Sequence, residues 1–312
     1  MLRVPREGFR LSVNEHNGSL DALIEWVEGS ITFADDRITQ SDVIDILTEE
    51  EIYRSQDFAR EWLETAWTEI TRRQRILGSY CPYAIDQQRI RRTMAWTDTP
   101  AYSFCLLLAL QVRYRDELNA VVAPDYNAQG ILFERLTLAA LEGRGMEVHS
   151  TAWSKVASAS IRERVADLAE HLGERAMDGA IEQWAEPDIK DGGLDVVCHF
   201  PFPDGWGGRP LYLVQCASGE NWKGKKATPK VALCEKLIDF TTKPRRGIAM
   251  PFALLEAEFR REANDDLLAL LLDRHRIAAL PSGGPGAWPD AALRADLNAW
   301  TRPRADALPR AD

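Results

Sequence analysis

Two apolar runs lying close together, Leu194-Asp-Val-Val-Cys-His-Phe200 and Leu211-Tyr-Leu-Val-Gln-Cys-Ala217, narrow most what this chain can become. Each is short, rich in β-branched and aromatic residues and bounded by turn formers, so each reads as a strand. The Asp191-Gly-Gly193 turn precedes the first, and Pro201–Pro210, dense in Gly and Pro, joins the two as an extended hairpin loop. Helical periodicity is predicted over Ile131–Glu142, stopping at Gly143–Gly145, and again over Ser160–Gly173, while Met146–Trp153 alternates like a strand. Beyond a basic loop, Lys230–Phe240 reads as helix and Gly247–Leu255 as strand. Glu256–Arg274 reads as a last helix with Leu267, Leu268, Leu271 and Leu272 buried. The order helix, strand, strand, strand, helix, strand predicts an α/β fold, a mixed central sheet with helices on its faces.

The residues before this are expected to be mainly helical. Ser55–Leu77 places Phe58, Trp62, Ala66, Ile70 and Leu77 on one stripe ahead of Gly78, and Pro100–Leu118 carries Phe104, Leu107, Leu108 and Val112. Short strands are expected at Phe9–Val13 and Ile31–Phe33, and Trp26, Trp62, Trp67 and Trp96 read as core. The turn formers of Ala123–Gly130 mark a boundary. The chain therefore divides into a helical accessory domain (1–122), an α/β domain (123–280) and a loosely packed extension (281–312) rich in Gly, Pro, Ala and Asp. A chain of 312 residues is long enough for two cores.

Composition removes several function classes. The net charge of -10 excludes a protein that coats nucleic acid with its whole surface, although a local basic cleft is offered by Lys223, Lys225, Lys226, Lys230, Lys236, Lys243, Arg245 and Arg246. The five cysteines form no C-x-x-C pair, and no H-E-x-x-H occurs, so neither a disulfide framework nor a zinc cage is expected. No apolar run approaches the roughly 18 residues that span a bilayer. Arg3, Arg6 and Arg10 are followed by no apolar segment of a secretory signal, so a cytoplasmic location without a membrane partner is expected. Ala217-Ser-Gly219 supplies only part of a serine-hydrolase elbow, and Gly205-Trp-Gly-Gly208 lies in a hairpin rather than between strand and helix.

The strand ends near Asp195 and Gln215 offer the oxygen donors that a hard divalent cation takes. Hydrolysing a phosphodiester without a covalent intermediate calls for an ion that polarises the phosphoryl oxygen and acidifies a bound water, held by carboxylates and carbonyls. Asp195 stands one residue into the first strand. On the next, Gln215 and Ala217 share a face, and the carbonyl of Cys216 between them can point at the same metal.

Taken in order, Phe133-Glu134 with the apolar Leu138–Leu141 and Gly145, then Gly193-Leu-Asp195, then Gln215-Cys-Ala217, this run resembles the PD-(D/E)xK nuclease superfamily. The likeness is to its restriction-endonuclease-like branches with Gln in the third motif, and it covers Gly130–Leu255. It implies an αβββαβ core, Mg²⁺ or Mn²⁺ as cofactor, DNA as substrate with RNA left open, and Glu134, Asp195 and the Cys216 carbonyl as metal ligands beside Gln215. Ala217 stands where the family has its lysine. The resemblance then implies that Lys225, or Lys223 close behind it, takes over that role. It further implies a restriction or anti-phage defence effector gated by a partner protein or by homo-oligomerisation. The runner-up is a catalytically impaired nuclease-fold subunit that binds nucleic acid or a partner.

Overall fold

The computed structural model describes residues 1–11, 17–151, 161–184, 194–264, 268–279 and 288–311. From the N-terminus the chain forms helix α1 (Leu20–Phe33), strand β1 (Arg37–Thr39), helix α2 (Gln40–Glu49) and the long helix α3 (Gln56–Leu77). The hairpin β2 (Tyr83–Asp86) and β3 (Arg89–Arg92) follows, then α4 (Pro100–Arg113), α5 (Arg115–Val121) and α6 (Tyr126–Glu142). Next come β4 (Glu147–Ser150), α7 (Ile161–His171), β5 (Arg175–Ala176), α8 (Asp178–Trp184), β6 (Val196–His199) and β7 (Leu211–Cys216). The last third holds α9 (Val231–Leu237), β8 (Ile238–Asp239), β9 (Arg245–Ala249), α10 (Glu256–Ala263), β10 (Leu270–Leu272), α11 (Arg274–Ala278) and α12 (Ala291–Asp306).

The chain divides into two compact units. The first joins Met1–Ala128 to Pro251–Leu255 and Asp273–Asp312, so it is built from both ends of the sequence. Its centre is α1, which is buried on nearly every side, Glu25 and Glu28 included, with α3 and α4 packed on it. Ile31–Phe33, expected as a strand, is the last turn of this helix, capped at its start by the Ser19 side chain. The C-terminal residues differ from the expected loose extension. Asp290 caps α12, which buries Leu293, Leu297 and Trp300 and packs on α4; alanines among well-spaced apolar residues made a packed helix look like linker. Residues 281–287 lie outside the described residues.

The second unit, Gln129–Met250 with Glu256–Leu272, is mixed α/β around a five-stranded sheet in the order β10-β9-β7-β6-β4. The β4–β6 and β6–β7 pairs are antiparallel, whereas the β7–β9 and β9–β10 pairs are parallel. The element order α6, β4, β6, β7, α9, β9 holds, with α7, β5 and α8 inserted between β4 and β6. Val165 and Leu168 of α7, with Leu172 just after it, pack on Val197, Leu211 and Leu213 of the sheet. The Glu256–Arg274 helix is not formed as expected. It ends at Ala263, and Leu270–Leu272 forms the parallel edge strand β10; a strand buried on both faces reads as an unbroken apolar run, which periodicity cannot tell from helix. The Asp191–Gly193 turn, Trp153, Ser160 and Leu267 lie outside the described residues. Among those described, no helix is long and apolar enough to cross a membrane.

A histidine row crosses this unit. The rings of His149 and His171 are 4.8 Å apart, and those of His171 and His199 6.0 Å. Burial holds His149 and His199 below the ordinary value of 6.5; His171 adds to the depression at both, and Arg209 adds to it at His199. Below that value the unfolded chain binds more protons than the native one. The stability these rings contribute is complete above about pH 6.5 and is lost as pH falls through their lowered native values. Thermal unfolding should therefore occur a few degrees lower at about pH 5.5 than at about pH 7.5, and His149→Gln should flatten that dependence. An unchanged slope in the variant would remove His149 from this account.

Candidate metal centre

The candidate residues meet where β4 ends, β6 begins and β7 ends. In the antiparallel register Ser150 faces Val196 and Val196 faces Val214. Two main-chain bonds extend the ladder beyond the strands, Thr151 N–H to the Asp195 carbonyl (3.0 Å) and Asp195 N–H to the Val214 carbonyl (3.2 Å). This sets Asp195 across from Gln215. The Gln215 amide donates to Asp195 Oδ2, and the Cys216 N–H donates to the same oxygen at 2.7 Å. Gln215 is buried, and a buried amide needs partners; Asp195 is one of them.

Glu134 reaches this strand end from α6. That helix buries Gln129, Leu132, Phe133, Leu136, Thr137, Ala140 and Leu141, leaving Glu134 half-buried at the margin of the stripe. Ser150 Oγ donates to Glu134 Oε1 at 2.6 Å, and Gln129 Nε2 donates to the carbonyl and hydroxyl of Ser218, each at 3.2 Å. These three bonds fasten the helix to the ends of β4 and β7.

Cys216 lies beside Asp195, whose carboxylate accepts from its N–H. Burial pushes its thiol well above the ordinary range, and the negative charges of Asp195 and Glu134 both add to the rise. The thiol stays protonated beside the Thr137 hydroxyl, which itself donates to the Phe133 carbonyl, so what this residue offers the site is its main chain. Two carboxylates and a carbonyl are hard oxygen donors, suited to Mg²⁺ or Mn²⁺ rather than to a soft metal. Among the described residues no three His, Cys, Asp or Glu side chains are grouped to hold a metal ion, so a cation here would lean on two carboxylates, the main chain and water.

The lysines are placed less simply. Lys223 and Lys225 lie in a 3-10 turn, Glu220–Lys225, after β7. Lys223 Nζ pairs with Glu258 at 2.7 Å and lies 5.5 Å from the centre of the Trp222 ring; Lys226 pairs with Glu262. Lys225 is half-buried, with no carboxylate partner among the described residues. Ala217 is fully buried, and its N–H donates to the Ala249 carbonyl at 2.8 Å. Sequence reasoning passed over Ser150 and Thr137. A hydroxyl on an alternating strand, as at Ser150, or on the buried stripe of a helix, as at Thr137, carries no mark of its role until register and packing place it. No family model matches the chain, and neither does any curated protein or solved structure.

Proposed function

We propose that the chain is a metal-dependent endonuclease on a restriction-endonuclease-like core, hydrolysing phosphodiester bonds of DNA at the strand end shared by Glu134 and Asp195. The observation that carries this reading is the pair of carboxylates brought around Cys216 from α6 and β6, with Asp195 oriented by Gln215 and the main chain. A divalent ion bound there supplies Lewis acidity and a more acidic water. The protein's own part is orientation. Ser150 fixes Glu134, Gln215 and the Cys216 N–H fix Asp195, and Lys225 is the cation assigned to the attacking water or to charge developing on the phosphate, where Ala217 replaces the family's lysine.

The test is purified protein incubated with linear and supercoiled DNA in Mg²⁺ or Mn²⁺, with EDTA as control. Cleavage that persists in EDTA sinks the proposal. Lys225→Ala should slow cleavage by about 10²- to 10³-fold, the usual loss of one preorganised charge-stabilising donor. Lys223→Ala should cost less than about ten-fold, because Glu258 already holds its ammonium. The reverse ranking would reassign the role. Gln215→Leu should weaken apparent metal affinity by about 10- to 100-fold, as for other partners that orient a ligand; wild-type affinity in this variant would make Gln215 a core residue only.

A second reading is a nuclease-fold subunit that binds nucleic acid or a partner without cutting. Ala217 in the lysine position and the pairing of Lys223 with Glu258 favour it. Binding without cleavage in every metal would select it. An unregulated nuclease endangers its host, so the active form is proposed to be gated by a partner protein or by homo-oligomerisation, as suits a restriction or anti-phage effector.

A further inference from the structure

We propose that the loop joining β6 to β7, together with the basic pocket beside it, binds single-stranded nucleic acid through stacked bases and held phosphates. The inference rests on the nuclease reading for its purpose but is tested by binding alone. The loop exposes three aromatic side chains, Phe200 (45%), Phe202 (54%) and Trp206 (77%). Rings on a slack loop would fold back on the nearest apolar surface. This loop is tied down instead. The Glu174 carboxylate accepts from Gly208 N–H (3.3 Å) and from the N–H and hydroxyl of Thr241 (3.0 and 2.9 Å). Asp204 accepts from Trp206 N–H at 3.1 Å, and the buried Arg209 donates through Nε to the Trp206 carbonyl at 2.9 Å. Gly173 and Gly207 permit the close approach, since a Cβ on either would collide with the Gly205 carbonyl or the Glu174 carboxylate. The tryptophan backbone is therefore fixed while its ring faces water.

Gly208 lies against Thr241 and Thr242, which lead directly into Lys243. Lys243, Arg245 and Arg246 line a cavity of about 280 Å³ with Pro244, Ala269 and the single carboxylate of Glu235. Arg246 is held through Nε on the Pro229 carbonyl at 2.8 Å. The Lys243–Glu235 pair, 3.5 Å apart with the lysine 77% exposed, is too loose to cancel the positive charge. Aromatic faces beside a cationic groove are the sequence-tolerant way to hold a single strand, whereas a duplex keeps its base faces stacked away from such rings. One lysine and two arginines against a single carboxylate leave the pocket net positive, which suits the phosphate oxygens of a nucleic-acid strand. Arg245 pairs with Tyr212, four residues before Cys216. At about 3.3 Å per residue the pocket stands roughly 13 Å along the sheet from the candidate metal centre, within reach of the same strand.

The test measures fluorescence anisotropy of a labelled single-stranded oligonucleotide and of its duplex with the full chain in EDTA. The wild type should bind the single strand at least about ten-fold more tightly. Trp206→Ala, a change at an exposed ring, should lose roughly ten-fold in affinity. A Lys243→Ala, Arg245→Ala double variant should lower the salt slope by about 0.7 for each phosphate contact removed. Unchanged binding in both loop and pocket variants overturns the proposal, as does duplex binding equal to single-strand binding. So does a Trp206→Ala protein that elutes as a smaller species with unaltered affinity, which assigns the loop to contact between copies. Loss of binding in these variants by a protein that never cleaves would uphold the strip and sink the nuclease reading. Normal binding with metal-dependent cleavage intact would do the reverse.

Discussion

Asp195→Ala should lower metal-dependent cleavage by at least about a thousand-fold. A bound divalent ion supplies several kcal/mol of transition-state charge stabilisation, and each 1.4 kcal/mol or so is a factor of ten in rate. On the proposed reading Asp195 is one of two carboxylate ligands, and removing it forfeits most of that. The alanine variant carries a second cost that could be mistaken for the first. It strands the Gln215 amide and the Cys216 N–H, both of which donate to Asp195 Oδ2, and an unpaired buried donor costs about 1–3 kcal/mol of stability. Asp195→Asn separates the two effects, because its side-chain oxygen still accepts from both donors while the charge is gone. If the carboxylate is a ligand, Asn should fail in catalysis nearly as badly as Ala yet unfold close to the wild type in urea. An Asn variant that cleaves within ten-fold of wild type would make Asp195 a turn and ladder residue.

This pair of variants also shows how far the sequence could carry the site. Asp195 and Gln215 were legible because they lie on two adjacent strands whose apolar runs and connecting loop announce themselves. Alternation then leaves few positions that can face each other. Glu134 could not be found this way, since an acid at the margin of a helix stripe resembles any solvent-facing residue, and only its order relative to the strands drew attention to it. Ser150 and Thr137 were illegible because their importance lies in register and packing. The lysine question stayed open in the sequence for a similar reason. Lys223, Lys225 and Lys226 are equivalent on paper, and only the positions of Glu258 and Glu262 on α10 distinguish them.

The fold was legible to a similar depth. Strands β6, β7 and β9 and helices α3, α4 and α6 follow from periodicity and from their caps. Two errors concern short apolar runs. Ile31–Phe33 is too short for periodicity to separate helix from strand, and β10 is buried on both faces, so it reads as an unbroken apolar run. A third lay beyond any local pattern. Residues 251–255 and those from Asp273 onward belong to the first unit, and nothing near Arg274 in the sequence tells that its partners are Glu25 and Glu28.

Those partners carry the largest expected effect on stability. Glu28 is completely buried in α1, with Oε2 accepting from Arg73 of α3 (2.8 Å) and Arg274 of α11 (3.3 Å) and Oε1 accepting from the Tyr83 hydroxyl (2.7 Å). Glu25 extends the network, binding Arg274 at 3.0 Å and Arg113 at 2.9 Å, and Arg274 Nε donates to the Pro251 carbonyl at 3.1 Å. Burial alone would raise the Glu28 carboxyl, but Arg73 and Arg274 overcome it and hold it below its ordinary value of 4.5. Its contribution is therefore complete above about pH 4.5 and is lost as pH falls through the lowered native value. Glu28→Ala leaves two fully buried guanidinium groups short of a counter-charge, and breaking a buried pair from one side costs about 3–5 kcal/mol. Against a total stability of order 5–15 kcal/mol, that change alone should shift the urea midpoint far, as followed by the fluorescence of Trp26, Trp62 and Trp67 in the same unit. Arg260→Ala on α10 removes an exposed pair with Glu256 and should cost no more than about 1 kcal/mol. A Glu28→Ala loss as small as that control would mean that the arginines find other partners or water, and that the tie between α1 and the C-terminal segment rests on apolar packing alone.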